Sequence, residues 1–172
     1  MTMLRVAIGL GVATAGIYIV TRIIAARLGG FVAARTLEHP ATYQAYTTAD
    51  LAQFVAAWPH AARAYVVPVL FPLDLLFMIL LGATLTVAAV GFSEGTAFAP
   101  AARFFMILPL VYLAADLAED TMLARLLLAP SAITNDAVSG AKALTTLKLG
   151  ALVASTGQVL LLAVLYLKAL LR

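Results

Sequence analysis

Asp116, Glu119 and Asp120 are spaced at i, i+3 and i+4, so on a helix they share one face, with Tyr112 one turn earlier on the same stripe. Carboxylates crowded together away from water can share a proton, hold a cation or pair with a buried base. The stretch around them is otherwise apolar. A charge at the centre of a hydrocarbon layer costs about 2.5–3.5 kcal/mol on insertion scales, so this face must look at protein. A matching base stands elsewhere in the chain. Lys148 follows Thr145 by three residues, and Ser155 continues the same face of a second apolar stretch. Asp74 and Arg22 lie in two further apolar stretches, with Arg63 and His60 just ahead of the one that holds Asp74.

The elements that carry these residues follow from composition. The 172 residues are 64% hydrophobic and 11% charged, with a mean hydropathy of +1.04. A soluble domain carries about 25% charged residues, so the outer surface of this one suits lipid, and the bilayer is the expected partner. The eleven Lys and Arg stand singly along the chain, unlike the clustered basic face of a nucleic-acid binder. With no cysteine, disulfides, thiol catalysis, Cys-ligated zinc and Fe–S clusters are excluded. Arg5 followed by Val6–Val20 imitates a signal peptide, but no small-x-small site follows and the apolar run continues to Leu28. It reads as a membrane helix.

Four stretches are long enough to cross about 30 Å of hydrocarbon at 1.5 Å per residue: 4–28, 65–92, 101–128 and 141–167. Ala7, Gly11 and Ala15 in the first suit close packing, and Gly29-Gly30 ends it. Pro68 and Pro72 predict a second helix that bends early or starts at Pro72; Pro109 predicts a kink in the third. Tyr166, Lys168 and Arg172 anchor the fourth at an interface. Residues 93–100 read as a short turn and 129–140 as a loop. Residues 29–64 are too many for a plain loop. Thr47-Thr48-Ala49-Asp50 reads there as a helix start, with Leu51, Phe54, Val55 and Trp58 on one face and Pro59 closing it at the membrane surface. The expected fold is a single all-α domain over 1–172, a four-transmembrane-helix bundle whose long first loop carries a short interfacial helix.

Adjacent spans run antiparallel, so depths can be compared. Arg22, Asp74, Asp116, Glu119, Asp120 and Lys148 fall about 9–18 Å from the same side, beneath the long first loop. The convergence points to a ligand- or ion-binding site of Asp74, Asp116, Glu119, Asp120 and Lys148 with Arg63, Tyr112 and Thr145. Plainer roles stand beside it. Asp74 suits the dipole of a first helical turn, Arg22, Arg27 and Arg125 can snorkel to headgroups, and the acids with Lys148 can form a structural knot. His39 and His60 read as structural loop residues.

Sharper motifs are absent. Asp116-x-x-Glu119-Asp120 with Ala124-Arg125 lacks the second Asp-x-x-x-Asp and the glycine of a CDP-alcohol phosphotransferase. No histidine falls within a span to make a di-iron site, and there is no Walker loop, Gly-x-Ser-x-Gly or His-Glu-x-x-His. No cofactor and no metal centre is expected. Over residues 60–150 the chain resembles a widespread group of small four-helix bacterial membrane proteins. The likeness rests on Arg63-x-Tyr65 opening the second span, Asp74 within it, Asp116-Leu117-Ala118-Glu119 in the third and Thr145-Thr146-Leu147-Lys148 in the fourth. Asp120 departs from the Asn that group carries at this point. The resemblance implies the four-helix fold and the polar cluster, and no activity.

Three functions fit. The cluster could bind or move a cation, a proton or a small polar or amphiphilic ligand, which with four spans favours a homo-oligomer. It could serve an intramembrane enzyme acting on a lipid or isoprenoid, one carboxylic acid acting as general acid. Or it could be the internal glue of a structural subunit. A multi-pass protein of the cell (inner) membrane is expected, with the termini periplasmic. Arg22, Arg27 and Arg35 flank one end of the first helix against Arg5 at the other.

Overall fold

A computed structural model describes residues 2–29, 46–94 and 96–171, and its regular elements are helices: α1 Thr2–Gly29, α2 Thr48–Ala57, α3 Pro59–Ala64, α4 Leu75–Ser93, α5 Ile107–Leu128 and α6 Asn135–Leu170. Four helical stretches, Met3–Leu28, Pro59–Ser93, Ala99–Leu128 and Asn135–Leu170, are long and apolar enough to cross a membrane. Gly30, Arg35, His39 and the rest of 30–45 lie outside the described residues.

The proline effects are more local than the sequence implied. Between α3 and α4 the segment Tyr65–Asp74 turns as a wide, broken helix. Val67 (φ −130, ψ 114) and Phe71 (φ −128, ψ 117) leave helical geometry, because a proline ring crowds the residue before it out of the α region. Both peptide bonds into Pro68 and Pro72 are cis. Regular helix resumes at Leu75, after the second proline rather than at it.

Pro109 does not kink the third stretch midway. Ala99–Met106 is a tighter 3₁₀ stretch, and Pro109 stands in the first turn of α5, where a missing N–H leaves no helical bond unmade within α5. The Phe105 carbonyl, four residues before the proline, accepts instead from Gln158 Nε2 of α6 at 2.8 Å. The fourth helix starts earlier than its apolar run. Thr134 caps it, its hydroxyl accepting from the Ala137 amide at 3.2 Å, and Ser139-Gly140 is helical rather than loop. At 36 residues, α6 is about 54 Å long, well beyond a hydrocarbon core.

The short helix is present. Thr47 and Asp50 form a reciprocal capping box, and Leu51, Phe54 and Val55 are buried. Trp58 is not on that face: it is 65% exposed, because the chain breaks from the helix there before Pro59 opens α3. Thr48 bonds Asn135 at 2.6 Å and the Lys142 ammonium stands 5.2 Å over the Tyr46 ring, so α2 is tied to the projecting end of α6.

α1 packs along α4, α5 packs along α6, and α4 also meets α5 and α6. Among the described residues α1 and α6 do not pack along one another. The α1 seam runs through Ala7, Gly11, Thr14, Thr21 and Ala25, with Thr14 sharing a hydrogen bond with Thr84 at 3.2 Å. Ala15, expected on this seam, is exposed, since eight residues rotate about 80° beyond whole turns whereas seven fall about 20° short. The larger core cluster, including Leu51, Tyr65, Leu70, Leu126 and Val138, fills the end of the bundle under α2 and α3. The charged residues lie directly below it.

Candidate functional site: a pocket of buried charges

Asp116, Glu119 and Asp120 of α5 are 2%, 1% and 1% exposed, and Lys148 of α6 is 3% exposed. Such burial is tolerated only with close partners. Lys148 Nζ stands 3.0 Å from Asp116 Oδ1 and also pairs with Glu119 Oε2. Glu119 Oε1 is within bonding reach of the Thr145 hydroxyl, which also meets the Ala141 carbonyl at 3.1 Å. One hydroxyl proton serves one acceptor at a time. These contacts join α5 to α6, where the antiparallel packing sets Glu119 beside Thr145 and Asp116 beside Lys148. Tyr112, one turn before Asp116, is 1% exposed and its phenol is within hydrogen-bond reach of that carboxylate.

Asp120 sits on the opposite side of the acid stripe from Glu119. One carboxylate oxygen from each of Asp74, Asp116 and Asp120 lies within 4.8 Å of the others, and Asp120 Oδ2 has no hydrogen-bond partner among the described residues. Asp74 precedes the first residue of α4 and makes no capping hydrogen bond. It is half-buried.

A pocket of about 210 Å³ gathers these groups. Its polar lining includes Arg22, Asp74, Tyr112, Asp116 and Lys148. Phe77, Val69, Leu149 and Leu152 supply apolar walls, and Tyr18, Thr21 and Ala25 close it from α1. The lining comes from α1, the broken segment Tyr65–Asp74, α4, α5 and α6, so the pocket lies among all four long helical stretches.

Asp74, Asp116, Tyr112 and Lys148 thus line one cavity, while Glu119, Asp120 and Thr145 stand just behind it. Arg63 is exposed and does not line it; His60 is also exposed. Arg125 and Arg27 are exposed, whereas Arg22 is half-buried and lines the cavity rather than reaching only for headgroups. Sequence reasoning missed Tyr18, Thr21, Tyr65 and Phe77. The spacing of Tyr18, Thr21, Arg22 and Ala25 on one helical face was a usable signal, as was Phe77 three residues after Asp74. Tyr65 stood out only as part of the Arg63-x-Tyr65 pattern, and its place in the broken segment hid its direction.

No family model, curated protein or solved structure matches this chain.

Proposed function

We propose that the chain is an integral protein of the cell (inner) membrane, crossing it with the four long helices. Large apolar side chains, among them Ile8, Val12, Ile79, Leu110, Val153 and Leu161, stand exposed along all four. Water would tolerate no such continuous surface; lipid is its natural solvent.

Within the membrane it binds a small amphiphile from the bilayer. One observation carries this reading: one pocket, lined from all four long helical stretches, joins apolar walls to buried acid and base groups. A polar head fits among Arg22, Asp74, Asp116 and Lys148, and a tail leaves between the helices into lipid. Small-molecule sites are commonly concave and mostly apolar with a few polar groups that fix orientation. The crowded acids and the Tyr112 phenol around the same space are also the groups that acid–base chemistry on the bound amphiphile would use.

The test is mass spectrometry of lipids retained by the protein purified in native nanodiscs. Retention of an enriched amphiphile is expected, and Leu152→Trp, which fills the pocket, should release it while helicity and melting temperature hold. Identical lipid profiles for the two proteins count against the reading. Conversion of the retained species on incubation favours the enzyme.

A further inference from the structure

We infer that the head accepted by this pocket is an organic cation, the ammonium group of a lipophilic amine or quaternary ammonium compound. The inference rests on the amphiphile reading above and specifies its chemistry.

Charge supplies the first observation. Asp74, Asp116, Glu119 and Asp120 crowd around the pocket against Lys148 and Arg22, so even with one of the crowded acids keeping its proton the carboxylates exceed the bases by one. Lys148 is held between two of those acids, and its charge is largely answered. An arriving anion would meet Asp74 and Asp116 at the lining, with Asp120 within 4.8 Å behind them. A cation meets an excess of acid in a site walled by apolar side chains, where charge interactions are screened least.

The lining supplies the second. Four aromatic rings, Tyr18, Tyr65, Phe77 and Tyr112, surround the same cavity as the two aspartates. The Tyr18 and Phe77 rings are paired at 5.4 Å between centroids, one from α1 and one from α4. Aromatic faces attract ammonium groups and repel anions, and rings combined with carboxylates recognise methylated ammonium heads. A cavity of about 210 Å³ has the volume of roughly seven waters, room for a trimethylammonium head and its first methylenes. The remaining chain would lie against the apolar walls of Val69, Leu149 and Leu152 and beyond them in the bilayer.

The experiment measures equilibrium binding of radiolabelled dodecyltrimethylammonium to the full chain in nanodiscs of digalactosyl diacylglycerol, a lipid with neither ammonium nor phosphate. Empty nanodiscs give the partition blank. Saturable binding is expected, with no displacement by dodecyl phosphate or dodecyl maltoside. Asp74→Asn should weaken it at least ten-fold and Phe77→Ala about five-fold. Arg22→Gln should tighten it, because that change removes a competing cation. A merely structural role for these residues would not move binding in opposite directions. Saturable uptake of dodecyl phosphate or dodecyl maltoside in place of the ammonium overturns the head assignment and leaves the amphiphile reading standing. Weakening by Arg22→Gln also overturns the head assignment. Saturable binding of none of the three overturns both.

Discussion

Lys148 and Asp116 meet 3.0 Å apart across the α5–α6 seam, and Glu119, one turn further along α5, takes the other side of the same ammonium. Lys148→Met removes the base and leaves these acids buried with their charge unanswered. Breaking one side of a buried pair costs about 3–5 kcal/mol, so a clear fall in melting temperature in detergent is expected. Adding Glu119→Gln, which removes one of the stranded charges, should recover part of the loss. A Lys148→Met protein that melts like the parent would show that the acids do not depend on this base.

Gln158 substitutes for a backbone donor that Pro109 lacks, giving its amide to the Phe105 carbonyl at 2.8 Å. Gln158→Leu should cost about 1 kcal/mol, the usual scale for a polar contact between helices in lipid. In a Pro109→Ala background the restored N–H can reach Phe105, and Gln158→Leu should then be nearly silent. Equal losses in both backgrounds, measured by chemical denaturation, would rule this relationship out.

Gly82 faces Leu113 so closely that an added Cβ would stand 2.8 Å from its Cγ. Gly82→Ala therefore overpacks the α4–α5 contact and should destabilise by about 1–3 kcal/mol. Pairing it with Leu113→Ala should relieve much of that cost. Gly150 and Gly157, with nothing within 4 Å of an added Cβ, should accept alanine with little change in melting temperature.

For the proposed membrane protein, an orientation follows from the cations outside the pocket. Seven Lys and Arg fall on the side of the long first loop against four on the side of the termini, counting Arg35 and Arg172 by sequence. Lys148 and Arg22 belong to the pocket, leaving five against four. Arg63, which the sequence placed with the pocket residues, is exposed and counts, as does the exposed Arg125. Positive residues are retained inside, so the loop side is proposed as cytoplasmic. An alkaline phosphatase fused at the C-terminus should be active, and a fluorescent protein fused there should stay dark. A bright fluorescent fusion would turn the protein over.

Trp58 is the only tryptophan and is 65% exposed at the junction of α2 and α3. With the long helices in a bilayer as proposed, it would rest at the headgroup level, where aromatic residues concentrate. Its emission should be quenched by lipids brominated near the headgroup and little affected by bromine at the chain ends. Equal quenching by aqueous iodide alone would place it in water.

The sequence by itself determined the four long apolar helices, because hydrocarbon length and hydropathy need no partner to be read. It also determined which face of α5 is hidden, since Asp116, Glu119 and Asp120 at helical spacing cannot all face lipid. The capping box of Thr47 and Asp50 was legible too, being a contact between residues three apart. The tertiary structure alone decided the rest. It set which base answers which acid, because Lys148 and Asp116 are 32 residues apart in sequence and meet only through the register of α5 on α6. It moved Arg22 into the pocket and Arg63 out of it, since identical side chains are sorted by helix rotation and by the broken segment Tyr65–Asp74. It also set α1 along α4 rather than along α6 among the described residues. Which helices touch depends on side-chain fit at places such as Gly82 against Leu113, and hydropathy holds no information about that fit.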